Sequence, residues 1–169
     1  MKKTKTRYLC QAAMVAALYV VLTWVSAMLG LSSGSPQCRL GEAVCVLPLF
    51  MPAAVPGLGV GCFVSNLLFS PAPPDLIFGT LATVLGALGC RVIAQLWKGE
   101  SIGRTVVATL PNVMSNAAIG PLILRYAYGL EDGFWFLAAD VALGELIAGT
   151  LLGTLLALSI SRVFRHHQP

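Results

Sequence analysis

The sequence predicts an all-α membrane protein, a six-transmembrane-helix bundle with both termini in the cytoplasm. Three observations predict it. The chain of 169 residues is 57% hydrophobic and 11% charged, whereas a soluble domain carries about a quarter charged residues. Uncharged runs extend from Tyr8 to Cys38, Ala43 to Pro74, Leu76 to Cys90, Thr105 to Leu124 and Leu146 to Ser161. The longest approach or exceed the ~20 apolar residues that cross a bilayer as a helix. All 11 lysines and arginines except Arg39 and Arg125 fall on one side of a six-span model, as the positive-inside rule requires. The apolar residues are continuous rather than alternating, which argues against a strand barrel. Residues 1–169 read as one membrane-embedded domain.

The first span runs from about Tyr8 to Gly30. It is too long for the apolar region of a secretory signal and more spans follow, so it is expected to be retained. The uncharged block 43–74 would reach ~48 Å as one helix, against ~30 Å of hydrocarbon. It contains Pro48, Pro52 and Pro56, which break a helix interior. It therefore divides into two short spans, about 40–52 and 55–69, hinged near "MPAAVPG". The fourth span covers about 75–97, the fifth 105–127 and the sixth 133–161. Lys2, Lys3, Lys5 and Arg7 precede the first span; Arg91, Lys98 and Arg104 flank the fourth and fifth; Arg162 and Arg165 follow the sixth. A five-span model would split the two basic termini across the membrane. The net charge of +4 thus reports topology rather than nucleic-acid binding.

A charged residue inside a bilayer costs about 2.5–3.5 kcal/mol even on the lenient insertion scale, so such residues face a bundle interior or a wet cavity. Here they are Glu42, Asp75, Asp140 and Glu145, with the amides Asn66, Asn112 and Asn116. In the six-span topology Glu42 begins the second span, Asn66 lies near the outer end of the third and Asp75 opens the fourth. Asn116 is near the middle of the fifth. Asp140 and Glu145 lie roughly 10 and 18 Å into the sixth. The polar groups converge on the outer half of the bundle, which describes a pocket open to the outside. Each also has a structural reading. Asp75 suits a helix N-terminus, Arg39 and Glu42 can pair across one turn, and the asparagines can link helices. Glu145 is the hardest to explain structurally, because its own span carries no base. Asp140 lies on a different face from Glu145 and is the weaker candidate. Trp135, between Phe134 and Phe136, is either an interfacial anchor or a stacking wall for a flat ring.

The sequence shows no nucleophile with a base, no metal-ligand spacing and no Walker motif. "GLGVG" at 57–61 is a close-packing pattern rather than a nucleotide loop. The five cysteines, Cys10, Cys38, Cys45, Cys62 and Cys90, form no CxxC pair and read as small packing residues. No catalytic residue, metal or cofactor is expected. Ala12 and Ala16, and Ala13 and Ala17, repeat a small-xxx-small spacing on the first span. That spacing serves packing within the bundle or a partner membrane protein.

The segments "GEAVCVLPLFMPAAVPGLGVGCFVSNLL", "DLIFGTLATVLGAL", "PNVMSNAAIG" and "FWFLAADVALGELI" resemble, in order, the queuosine-precursor transporter (QueT) family, over about residues 8–160. The family consists of substrate-capture (S) components of energy-coupling factor (ECF) transporters. The resemblance implies a multi-pass protein of a prokaryotic cell membrane that binds a 7-deazaguanine such as preQ0 or preQ1. It implies docking through the alanines of helix 1 (Ala12, Ala13, Ala16, Ala17) onto a transmembrane coupling protein that carries two ATPase subunits. Its motif residues fall on Gln37, Arg39, Glu42, Asn66, Asp75, Asn116 and Glu145. The chain departs from the family pattern at Cys38, where an aromatic is expected, and at Gly41, where a serine is expected. For such a ligand Glu145 is expected to accept the N1–H and N2–H2 edge, and Asn116 to meet O6 or a ring nitrogen. Glu42 and Asp75 are expected to face an aminomethyl cation, Arg39 to balance Glu42 in the empty site, and Trp135 to stack on the ring. The loop "GLSSGSPQC" suits a lid. The alternatives are an S component for another small vitamin, a pyrimidine or flavin; a membrane-embedded enzyme using the carboxylates; and a helix bundle without transport function.

Overall fold

The computed structural model describes residues 2–31, 38–70 and 72–166. Every regular element among them is helical: α1 (Lys2–Met28), a 3-10 helix (Leu40–Leu49), α2 (Ala54–Phe69), α3 (Pro73–Leu96), α4 (Ile102–Tyr126) and α5 (Phe134–Glu145). From α5 the chain continues through a π-helical segment (Leu146–Leu152) into α6 (Gly153–His166). Thr4–Met28, Pro73–Leu96, Ile102–Tyr126 and Phe134–Arg162 are long and apolar enough to cross a membrane; the 3-10 helix and α2 are shorter apolar helices. Outward faces carry large apolar side chains, such as Ile77, Phe78, Leu85, Leu88 and Val92 on α3, where lipid in place of water removes the cost of exposing them.

The break expected in the proline-rich block falls between Leu49 and Ala54. Pro48 lies in the last turn of the first piece. Pro56 sits in the first turn of α2, where the N–H it lacks would have no intrahelical partner. The first piece is a 3-10 helix rather than the expected α-helix. At ~2.0 Å per residue its 10 residues reach ~20 Å, further than the same residues would as an α-helix. Every residue from Gly41 to Leu49 is buried, with α1, α3, α4, α6 and the π segment packed around it.

Small residues set the approach of the helices. A Cβ on Gly57 would lie 2.6 Å from the Ala12 carbonyl oxygen, and one on Gly61 2.9 Å from that of Ala16. The "GLGVG" pattern therefore packs against one of the two alanine pairs of α1. Gly41 is just as constrained, because a Cβ there would meet Thr23 Oγ1 at 2.3 Å. The 3-10 helix lies close to α1 there, and any side chain at this position would require Thr23 to move.

The two ends of the bundle differ. Arg91 Nη1 donates to the Pro48 carbonyl at 3.3 Å, and Arg104 donates to the carbonyls of Gly99 at 2.9 Å and Ala94 at 3.1 Å. At this end the interior is apolar, built from Val46, Leu49, Cys90, Ala108 and Ala157. The opposite end gathers the starts of the 3-10 helix and α3 with the ends of α2 and α4, and there the polar residues meet.

Candidate functional site

Two polar clusters occupy that end. The first forms its mouth. Arg39 precedes the 3-10 helix in extended backbone (φ −102°, ψ 111°). Its Nη1 donates to Asn66 Oδ1 at 3.1 Å, and its Nη2 forms an ion pair with Asp75 Oδ2 at 3.2 Å. Asp75 also accepts from Ser70 Oγ at 2.8 Å and from the Tyr128 hydroxyl at 3.4 Å. Asn66 Nδ2 completes the cluster by donating to the Asp75 carbonyl at 2.9 Å. Tyr128 lies beyond the end of α4, and burial pushes its phenol above the ordinary range.

The second cluster lies deeper. Glu42 is 3% exposed, Asn112 1% and Glu145 9%. Asn112 Nδ2 donates to Glu42 Oε2 at 2.9 Å and to Glu145 Oε2 at 2.9 Å. One amide nitrogen thus holds two carboxylates from different helices side by side. Glu42 also accepts from the Tyr19 hydroxyl and from Cys45 Sγ at 3.1 Å. The Cys45 contact follows from 3-10 geometry, in which residues three apart eclipse. Gly86 makes room for the bridge, since a Cβ there would lie 2.4 Å from Asn112 Oδ1. Asn112 Oδ1 is buried without a partner. Glu145 is the last residue before the π segment, the kind of helix irregularity that recurs at functional sites.

Between the clusters lies a small hollow, open on one side, with about 50 Å³ available to the centre of a water-sized sphere. Arg39, Glu42, Asp75, Asn116, Tyr128 and Glu145 supply its polar lining, while Ala82, Ile123, Leu124 and Val141 supply apolar wall. Asn116 Nδ2 donates to the Asn112 carbonyl at 3.1 Å.

Most of the residues singled out in the sequence therefore meet. Arg39, Glu42, Asp75, Asn116 and Glu145 line the hollow, and Asn66 holds Arg39 from behind. Gln37 and most of the expected lid, residues 32–37, lie outside the described residues. Trp135 is 82% exposed, is not part of the lining and makes an edge-on contact with Phe134, so it is not brought into the site. The Arg39 side chain is bonded to Asp75 and Asn66 rather than to Glu42, although the Glu42 N–H donates to the Arg39 carbonyl across the turn at 3.0 Å. Asp75 lies in the first turn of α3, as expected of an acid suited to a helix N-terminus, but it is not the cap: that position is Ala72, and the Asp75 carboxylate is engaged at the mouth. Ala12 and Ala16 face Gly57 and Gly61, while Ala13 and Ala17 are exposed.

A family model described as QueT transporter matches residues 9–162. The chain belongs to the QueT transporter family. It is 36% identical over 85 residues to a protein of Lactococcus lactis subsp. cremoris (strain MG1363) named queuosine precursor transporter QueT. That match covers 50% of each chain, so the chain aligns with about half the length of this curated relative. No solved structure matches significantly.

Sequence reasoning missed some parts of this cluster. Asn112 was visible only as a costly amide, although its spacing to Asn116 places both on one face of a helix. Tyr19 and Cys45 sit in apolar runs with nothing to mark them. Tyr128 lies past the end of its span, and its link to Asp75 depends on the fold.

Proposed function

We propose that the chain is the substrate-capture (S) component of an ECF importer, binding a queuosine precursor of the 7-deazaguanine class from outside the cell. The observation that carries this reading is the Glu145 carboxylate, held by Asn112 at one end of a one-sided hollow that Asn116 also lines. A 7-deazaguanine presents N1–H and N2–H2 side by side. A carboxylate accepts about four hydrogen bonds, so the single donor from Asn112 leaves Glu145 capacity for both. Hydrogen bonds to an ionised acceptor are the stronger kind. Asn116 offers its amide to O6. The name of the Lactococcus relative supports the substrate class.

In this reading six helical segments cross the membrane with both termini in the cytoplasm, so the hollow opens outward and the Arg91 and Arg104 end faces inward. The apolar interior at that inner end argues against a ligand threading through a fixed protein. Movement then requires a partner: a transmembrane coupling protein with two ATPase subunits, met by the exposed face of α1 that carries Ala13 and Ala17. Ala12 and Ala16 serve the bundle itself.

The test is a titration of the purified, detergent-solubilised protein with preQ0, preQ1, queuine, riboflavin and thiamine. A deazaguanine is expected to bind at one site and the two vitamins are expected not to compete. Binding of riboflavin or thiamine without any deazaguanine would assign a different substrate, and no binding at all would leave a bundle without a capture role.

A further inference from the structure

We infer that Thr150 is a positioning residue: by fixing the π segment to α4 it aims the Glu145 carboxylate into the hollow. The effect on ligand affinity rests on the capture reading above, whereas the effect on the contact between Glu145 and Asn112 does not.

The final helix buries every fourth position. Leu137, Val141, Glu145, Gly149, Gly153 and Ala157 are all buried. An α-helix turns ~100° per residue, so each step of four overshoots a full turn by ~40°. In a regular helix Glu145 would stand ~80° away from Gly153, eight positions on. The segment Leu146–Leu152 is π-helical, and bonding from i to i+5 lodges one extra residue in the turn. Glu145 is then placed as though seven residues separated it from Gly153, only ~20° from alignment. Both face the 3-10 helix. A Cβ on Gly153 would lie 3.2 Å from the Ala43 carbonyl oxygen. Glu42, the neighbour of Ala43, shares Asn112 with Glu145.

A π turn is rare, so something must hold the extra residue in place. The Thr150 and Thr109 hydroxyls are hydrogen-bonded at 3.0 Å. Thr109 is 3% exposed and is also bonded to the Val106 carbonyl of its own helix at 2.8 Å. A threonine inside a helix can turn its hydroxyl back onto its own preceding carbonyls; Thr150 reaches across to α4 instead, one turn before Asn112. Gly149, beside it, leaves room for the acid, since a Cβ there would lie 3.3 Å from Glu145 Oε2 and 3.6 Å from Asn112 Nδ2. Thr150 is not part of the lining of the hollow, so it acts on orientation and not by contact. Were the extra residue released into regular winding, α5 would rotate by about one residue, ~100°, and Glu145 would leave Asn112.

The experiment reads that contact without a ligand. The chain has three asparagines, Asn66, Asn112 and Asn116, so NMR of the full chain carrying isotope-labelled asparagine resolves three side-chain amides, assigned with Asn66→Gln and Asn116→Gln. Thr150→Val keeps the shape and removes the hydroxyl. It is expected to shift the Asn112 amide signal and to weaken 7-deazaguanine binding ~10-fold, about one hydrogen bond. Thr150→Ser should match wild type in both. Deleting Leu151, an exposed residue of the π segment, leaves a regular helix with the same seven-residue spacing, so adding the deletion to Thr150→Val should restore the Asn112 signal and the affinity. An Asn112 signal unmoved by Thr150→Val would overturn the inference. So would a deletion variant that fails to fold, or that folds without the contact between Glu145 and Asn112. A wild-type protein that binds no deazaguanine would remove the capture reading, and the amide spectra would still decide the role of Thr150.

Discussion

The mouth and the interior of the hollow are built from the same kinds of residue and differ in how their acids are satisfied. At the mouth, Asp75 has a guanidinium, a serine and a tyrosine, and Arg39 has a carboxylate and an amide. That cluster is complete in itself and ties the 3-10 helix, α2, α3 and the end of α4 together. Deeper in, Glu42 and Glu145 share one asparagine, and every donor they meet is neutral. A folded chain gains nothing obvious by bringing two buried acids together without a base. The arrangement is understandable if a third party completes it. The contrast separates an entrance cluster that is complete in itself from a deeper pair of acids that, in the proposed function, is kept for a ligand.

The comparison can be broken in several ways, and the strongest is at Glu145. Glu145→Gln is expected to weaken deazaguanine binding by ~100-fold, about two charge-assisted hydrogen bonds, while the thermal midpoint in detergent shifts little. A variant that unfolds instead would make Glu145 a structural residue. Asn112→Leu comes next. Removing the shared donor leaves two acids facing each other, and stability should fall by about 3 kcal/mol, read by thermal unfolding with and without ligand. Ligand should restore part of the loss.

Asp75→Asn sharpens the contrast from the other side. Its ion pair is partly exposed, with Arg39 at 22%, so it is worth about 1 kcal/mol or less, and binding should weaken only ~3-fold. A loss at Asp75 as large as at Glu145 would erase the distinction between mouth and interior. Ala13→Trp should change binding least of all while stopping uptake in cells that contain the partner subunits. Ala16→Trp, facing Gly61, should instead lower the thermal midpoint of the isolated protein. Equal behaviour of the two variants would show that α1 has no separate docking face.

Much of this molecule was legible in the charge pattern. The uncharged runs mark the helical segments, and the prolines mark the break between the 3-10 helix and α2, because each follows from local chemistry. The pitch of the helices was not legible. Whether residues 40–49 wind as 3-10 or α, and whether residues 146–152 adopt a π turn, depends on what surrounds them. Glu42 and Glu145 stood out because an acid in an apolar run has a cost that needs an explanation. Their partners Tyr19 and Cys45 have no such cost and stayed invisible. Arg39 was matched to Glu42, its neighbour across one turn, whereas its ion pair is with Asp75, an acid on another helix that only the fold brings near. Trp135 was ambiguous because a tryptophan at a span end suits either face, and here it faces outward, as an interfacial anchor does.

The most direct test is a structure of the protein with a bound 7-deazaguanine, at a resolution that orients the ring. The ring should lie in the hollow with its N1 and N2 edge on the Glu145 carboxylate and Asn116 within hydrogen-bonding distance. A ligand bound elsewhere, or seated among the mouth residues with Glu145 and Asn112 untouched, would contradict the account.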